Sequence, residues 1–223
     1  MRKIISHRIR VGDPGWPGNP TLEIENFSSL DKGDVANTYV IKLFNHFGTH
    51  FDAPRHYNAA GQTINEIPLE RFFYERPLVL DIPKGELEKI EPDDLKPFEQ
   101  QIRDCDLLML RTGFEPERWN DPELYSKRGP AVSAASARYL MENFNGSLKA
   151  VAVDFISLAC PADTVDGDEA HHRLLGVYDD GYICIIEDVS MRELPAGFLR
   201  AAAAVPIFVD GLDSAPVTMW ADI

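Results

Sequence analysis

Asn45-His46-Phe47-Gly48-Thr49-His50-Phe51-Asp52-Ala53-Pro54-Arg55-His56 is the stretch on which the reading of this chain turns. It holds three of the six histidines in eleven residues, and two more are adjacent at His171 and His172. His46, His50, Asp52 and His56 all carry even numbers, so an extended backbone places them on one face. Phe47, Thr49 and Phe51 then point the other way, toward a core. Imidazole and carboxylate together form the donor set of Zn²⁺, Mn²⁺ or Fe²⁺. At about 3.3 Å per residue, His46 and His50 lie roughly 13 Å apart in a straight strand, too far to share an ion. The backbone must therefore curve between them, and Gly48 is placed to allow it. His50 and Asp52 need no such bend. Pro54 ends regular structure and turns the chain, so His56 faces the same site from a loop. The competing readings are histidines that bind no ion and an Asp52 that only caps the turn before Pro54.

The whole chain has 223 residues, 44% hydrophobic and 26% charged, which fits one domain over 1–223. Lys and Arg number 22 against 36 Asp and Glu, a formal net charge of −14. A surface that acidic repels phosphate backbones and anionic lipids, so nucleic acid and membrane surfaces are excluded as expected partners. No run approaches the roughly 18 apolar residues of a membrane helix. Met1–Arg10 is basic but lacks a signal peptide's apolar stretch of about 7–15 residues, so the expected location is cytoplasmic. Cys105, Cys160 and Cys184 follow no ligand or disulfide spacing, and the last two sit in apolar surroundings. They read as small buried hydrophobes.

Apolar, β-branched runs of strand length recur at residues 38–44, 78–82, 106–111, 150–154, 183–186 and 205–209. Helical patterns fall between some of them. Pro92 to Gln101 opens acidic and spaces Leu95 and Phe98 three apart. Ser133 to Phe144 has a serine at the cap position and Tyr139, Leu140 and Phe144 at helical spacing. Near-continuous apolar strands alternating with helices predict an α/β fold with a covered sheet. The region before residue 90 is strand- and loop-rich, which adds antiparallel content and makes the sheet mixed. No glycine-rich phosphate loop and no Gly-x-Ser-x-Gly elbow occurs.

His46-x-Gly48-Thr49-His50-x-Asp52-x-Pro54-x-His56 resembles the signature of the cyclase family of metal-dependent hydrolases. Bacterial kynurenine formamidases (arylformamidases) are its best-understood members, and isatin hydrolase is similar. Further matches follow in family order from residue 16 to 217. Trp16-Pro17-Gly18-Asn19-Pro20 resembles an N-terminal Trp-Pro-Gly-Asp-x-Pro stretch, with Asn19 in place of Asp. Leu110-Arg111-Thr112-Gly113 and Val153-Asp154-Phe155-Ile156-Ser157 resemble two strand-end motifs. Glu169-Ala170-His171 with Leu175-Gly176 and Ile185-Ile186-Glu187 resembles the second ligand region. Gly211 to Val217 resembles the C-terminal turn.

The resemblance implies a swivelling β/β/α fold, a small-molecule substrate and a homodimer or homotetramer. It implies that His46, His50 and Asp52 bind a first divalent ion, Zn²⁺ or Mn²⁺. Asp52 would bridge to a second ion bound by His171, and Glu187 would also bridge, so that one or two ions bind. His56 would donate and accept protons, and Trp16 would line the substrate pocket. The sixteen residues from His171 to Glu187 exceed the family's expected spacing, with residues 177–181 carrying an extra loop expected to reshape the pocket. His172, adjacent to His171, is the alternative ligand.

The residues alone also define a reaction class. A divalent metal held by imidazole and carboxylate lowers the pKa of its water toward about 7 and polarises a carbonyl. A nearby histidine supplies the proton that a leaving nitrogen needs. The expected activity is hydrolysis of a C–N bond in a small formamide or cyclic amide. Ring closure or dehydration of a cyclic or polyketide-like substrate is the alternative within enzymes. A passive metal- or ligand-binding protein is the alternative outside them. A structural zinc fits less well, because no cysteine accompanies either histidine cluster.

Overall fold

A computed structural model describes residues 1–223. Four parallel strands, Pro77–Asp81, Leu107–Arg111, Ala150–Val153 and Cys184–Glu187, lie side by side in that order. The three-residue strand His50–Asp52 runs antiparallel beside Cys184–Glu187. Ser214–Asp222, Ala201–Pro206 and Phe73–Tyr74 continue the sheet, each antiparallel to its neighbour. Arg2–Ile4 and Gly197–Phe198 complete a mixed sheet of ten strands.

Side-chain alternation divides the centre of this sheet between two cores. Leu78, Leu80, Leu108, Leu110, Val151, Val153 and Ile185 pack with Leu140 and Phe144 of helix Ala134–Phe144 and with Ala170 and Leu174 of helix Thr164–Leu174. The intervening Val79, Leu107, Met109, Ala152, Cys184 and Ile186 pack with Phe51, Phe72, Tyr74, Ala202, Ala204, Met219 and Ala221. The antiparallel part therefore curls back over the parallel part. The result is a single-domain α/β fold of three layers, β on β on α. All three cysteines are buried and free. Burial pushes the thiols of Cys105 and Cys184 up to about 12.

Local chemistry explains where elements begin and break. Ser133 accepts a hydrogen bond from the Ser136 amide and caps helix Ala134–Phe144, a contact worth about 1 kcal/mol. The helix read over Pro92 to Gln101 is broken, as Pro92–Leu95, a 3₁₀ turn Lys96–Phe98 and Glu99–Arg103, because Pro97 supplies no amide. The run at 38–44 forms strand Thr38–Lys42 but lies outside the main sheet. It pairs only with Glu23–Ser28 in a ribbon whose Phe27, Tyr39 and Ile41 are exposed. The strand read at 205–209 is shifted to Ala201–Pro206. The Arg-Thr-Gly motif braces two strand ends, because the Thr112 amide and hydroxyl and the Gly113 amide donate to Asp154. Burial still pushes that carboxyl up to about 6.

Helix Thr164–Leu174 touches the loop after Ala150–Val153 at Gly167. A Cβ there would run into Ala159, with Cα at 2.8 Å. Gly167→Ala is expected to destabilise the fold by about 1–3 kcal/mol, the usual cost of forced overpacking. Thermal denaturation measures it, and an unchanged midpoint would refute the close-approach account.

Candidate metal centre

Register decides which side chains meet. His50 stands opposite Glu187 and Asp52 opposite Ile185 on one flank of the short strand. Pro216 and Ser214 stand opposite the same two residues on the other flank. Phe51 and Ile186 fill the inter-sheet core, so His50, Asp52 and Glu187 turn to the helix-covered face. Glu187 is the last residue of its strand, which puts the cluster at the carboxyl ends of the parallel strands, a usual place for ligands in such sheets. His171 enters from helix Thr164–Leu174 and His46 from the preceding turn. Gly48 makes that turn with φ of 69°, and a Cβ there would meet Ile9 at 2.5 Å. The bend brings the His46 and His50 rings to 5.1 Å.

The contacts are close. Asp52 Oδ1 lies 3.1 Å from His46 Nδ1 and 3.6 Å from His50 Nε2. Glu187 Oε2 lies 3.2 Å from His50 Nε2, and Oε1 lies 3.4 Å from His171 Nε2. The outer nitrogens are fixed by backbone. His50 Nδ1 donates to the Gly48 carbonyl at 2.7 Å, and His171 Nδ1 donates to the Gly167 carbonyl at 2.8 Å. Carbonyls only accept, so Nε2 of each ring is the atom aimed at the carboxylates. Ser157 Oγ and the Leu158 amide donate to Glu187 Oε1 and hold it in place.

Asp213 ties the outer edge of the cluster together. Its Oδ2 accepts from His46 Nε2 at 3.1 Å and from His56 Nδ1 at 2.8 Å, while Oδ1 accepts from Asn45. His56 sits on the 3₁₀ turn Pro54–His56 that Pro54 begins. Its Nε2 remains for another partner. Trp16 lines the same cavity of about 700 Å³, with Phe44, Tyr57 and Asp168. His172 does not join the cluster: it is partly exposed, and its nearest carboxylate is Glu169 at 3.9 Å. Residues 177–181 do not line the cavity either, contrary to the sequence expectation. Tyr178 instead bonds Glu169 on the outer side of the helix, and Asn145 anchors the loop through the Asp180 carbonyl.

Electrostatics shows what the site lacks. Burial opposes charge on His50 and His171, but Asp52 and Glu187 raise both above the ordinary histidine value. Burial likewise opposes charge on His46, yet Asp52 and Asp213 hold it up at about 10. Glu187, also buried, is drawn down to about 2 by His171 and His50. Protons alone leave gaps. Both oxygens of Asp52 and Nε2 of His50 are buried without a hydrogen-bond partner. Each such orphan costs about 1–3 kcal/mol, more when charged. His46, Asp52 and His56, and separately His50, Asp52 and Glu187, each present donor atoms within 4.8 Å of one another. The nitrogen and oxygen donors fit a divalent ion, and Asp52 belongs to both groups.

The fold and site thus define an α/β protein with a candidate divalent-metal centre at the strand ends. The chain belongs to the cyclase family, whose model matches residues 4–159. An uncharacterized protein of Haemophilus influenzae is 36% identical over 119 residues, covering 53% of this chain and 83% of that protein. Isatin hydrolase A from Labrenzia aggregata, solved with benzyl benzoate, superposes with a TM-score of 0.82 at 20% identity, covering 99% of this chain and 93% of that one. A potential metal-dependent hydrolase with cyclase activity superposes with a TM-score of 0.77 at 21% identity over 99% and 96%. These two share the fold. No helix is long and apolar enough to cross a membrane.

Asp213, Asp168, Asp188 and Tyr57 are cavity residues to which sequence reasoning assigns no role. Asp213 was within reach, because it falls in the quoted Gly211 to Val217 turn. Without a metal, the proton on His46 stabilises the fold: that contribution is complete below the ordinary value of 6.5 and is lost as pH rises through about 10. Asp213→Asn removes one of the two carboxylates responsible. The His46 titration midpoint in metal-free protein should fall, as read by imidazole NMR. A midpoint that stays at its wild-type position would show that Asp213 does not act on His46.

Proposed function

We propose that this chain is a metal-dependent hydrolase that cleaves the C–N bond of a small formamide or cyclic amide. The carrying observation is Asp52, a buried carboxylate with both oxygens unpartnered at the junction of two donor groups. In this reading His46, His50, Asp52, His171 and Glu187 would hold one or two divalent ions, Zn²⁺ or Mn²⁺. A divalent ion there supplies an activated water and a Lewis acid for the carbonyl oxygen.

The chain's own residues do the rest. His56 is anchored through Nδ1 to Asp213, so Nε2 is the atom that takes the proton from water and returns it to the leaving nitrogen. The balance is one amide and one water giving one carboxylate, one amine and one proton. Trp16 and Phe44 line the cavity and would give a planar substrate apolar contact. Formamide cleavage is supported by the resemblance of the His46 to His56 motif to that of the kynurenine formamidases, and cyclic-amide cleavage by the fold shared with isatin hydrolase. The loop at 177–181 lies outside the cavity and lends ring-closing chemistry no support.

Purified protein should contain a divalent metal and turn over N-formylkynurenine or isatin, with activity lost to chelator and restored by Zn²⁺ or Mn²⁺. Unchanged turnover by protein shown to be metal-free would sink the mechanism. His56→Ala should retain the metal and lose about 10²–10⁴-fold in kcat, the usual worth of a positioned acid–base group. Elemental analysis decides the role: loss of metal along with activity makes His56 a ligand.

A further inference from the structure

The wall of the cavity formed by helix Thr164–Leu174 carries a carboxylate that the metal centre does not use. Thr164, Asp168 and His171 recur at i, i+4 and i+7 on helix Thr164–Leu174, and all three line the cavity. Tyr57 donates its hydroxyl to Asp168 Oδ1 at 2.7 Å. The same phenol ring stacks on His171, with centroids 4.7 Å apart and planes 19° from parallel. Asp168 is thereby fixed one phenol ring away from a candidate metal ligand. It forms no salt bridge, and its Oδ2 has no hydrogen-bond donor. No lysine or arginine lines the cavity, and all its basic groups are imidazoles.

We infer that Asp168 is a specificity-determining residue that selects substrates bearing an ammonium group beside the scissile amide and disfavours those bearing a carboxylate there. A charged group leaving water needs a partner, and away from the candidate metal centre this cavity offers a free carboxylate but no guanidinium or ammonium to meet an anion. Tyr57 orients Asp168 by occupying one of its oxygens, which leaves Oδ2 to receive the ligand. The acidic surface, net −14, also raises the local concentration of cations. The substrate class deepens the hydrolase reading and rests on it for turnover. The binding preference does not.

Formanilide and its 4-aminomethyl and 4-carboxylate derivatives test the idea on the metal-loaded enzyme. The aminomethyl compound should exceed the carboxylate in kcat/KM by at least about fivefold, the scale of one partly exposed ion pair. In Asp168→Asn, which keeps an acceptor for Tyr57, that ratio should collapse toward one through KM. Asp168→Glu, which keeps the charge, should retain part of it. A ratio equal in wild type and Asp168→Asn, or a preference for the carboxylate, overturns the inference. If none of the three is turned over, the formamide half of the hydrolase reading fails, and calorimetry of the metal-loaded protein still decides this one. Benzylammonium should bind about fivefold tighter than benzyl alcohol, and Asp168→Asn should abolish the difference. Equal binding of the two probes by the wild-type protein would overturn it.

Discussion

Everything at the centre of this molecule depends on the register of one strand three residues long. His50–Asp52 lies between the parallel and antiparallel parts of the sheet, bonded to both. A slip of one residue would exchange its two faces. Phe51 would leave the inter-sheet core, and two polar side chains would enter it. The hydrophobic requirement at Phe51, fully buried against Phe72, thus fixes where the imidazole and the carboxylate point. Packing specifies the site.

Around that strand, backbone carbonyls and carboxylates set the direction of every ring. Gly48 and Gly167 each present a carbonyl to a histidine Nδ1, and both are positions where a side chain would collide. The same two glycines therefore allow the close approach and fix the donor atom. Behind Glu187, Asp188 adopts a left-handed backbone with φ of 53°, which costs on the order of 1 kcal/mol. Arg118 and Tyr125 donate to its carboxylate, so this turn is held by charge and by hydrogen bonds. The end of the strand is rigid for that reason.

The sequence made the near half of the site readable and hid the far half. Even spacing from His46 to His56, the glycine between the first two and the proline before the last are local signals. They translate directly into the bend and turn observed. Asp213 is 157 residues from His56, and only the pairing of Ser214–Asp222 with His50–Asp52 brings them together. Helix Thr164–Leu174 is hard to read because charged residues and a glycine interrupt its apolar stripe of Ala170 and Leu174. The alanines at 201–204 favour helix by propensity, yet two neighbouring strands and a thin inter-sheet layer make them a strand. Thr38–Lys42 fails in the opposite sense: its apolar run looks like core, but nothing in the chain covers it.

The burial of the three cysteines has a consequence for the choice of metal. With every thiol enclosed, and two of them held protonated far above neutral pH, the cavity offers only nitrogen and oxygen donors. Soft ions such as Cu⁺ and Cd²⁺ would find no sulfur foothold in the cavity. Oxidants that attack exposed thiolates find no target beside the centre. The preference of the candidate centre among divalent ions would then be set by nitrogen and oxygen donors alone.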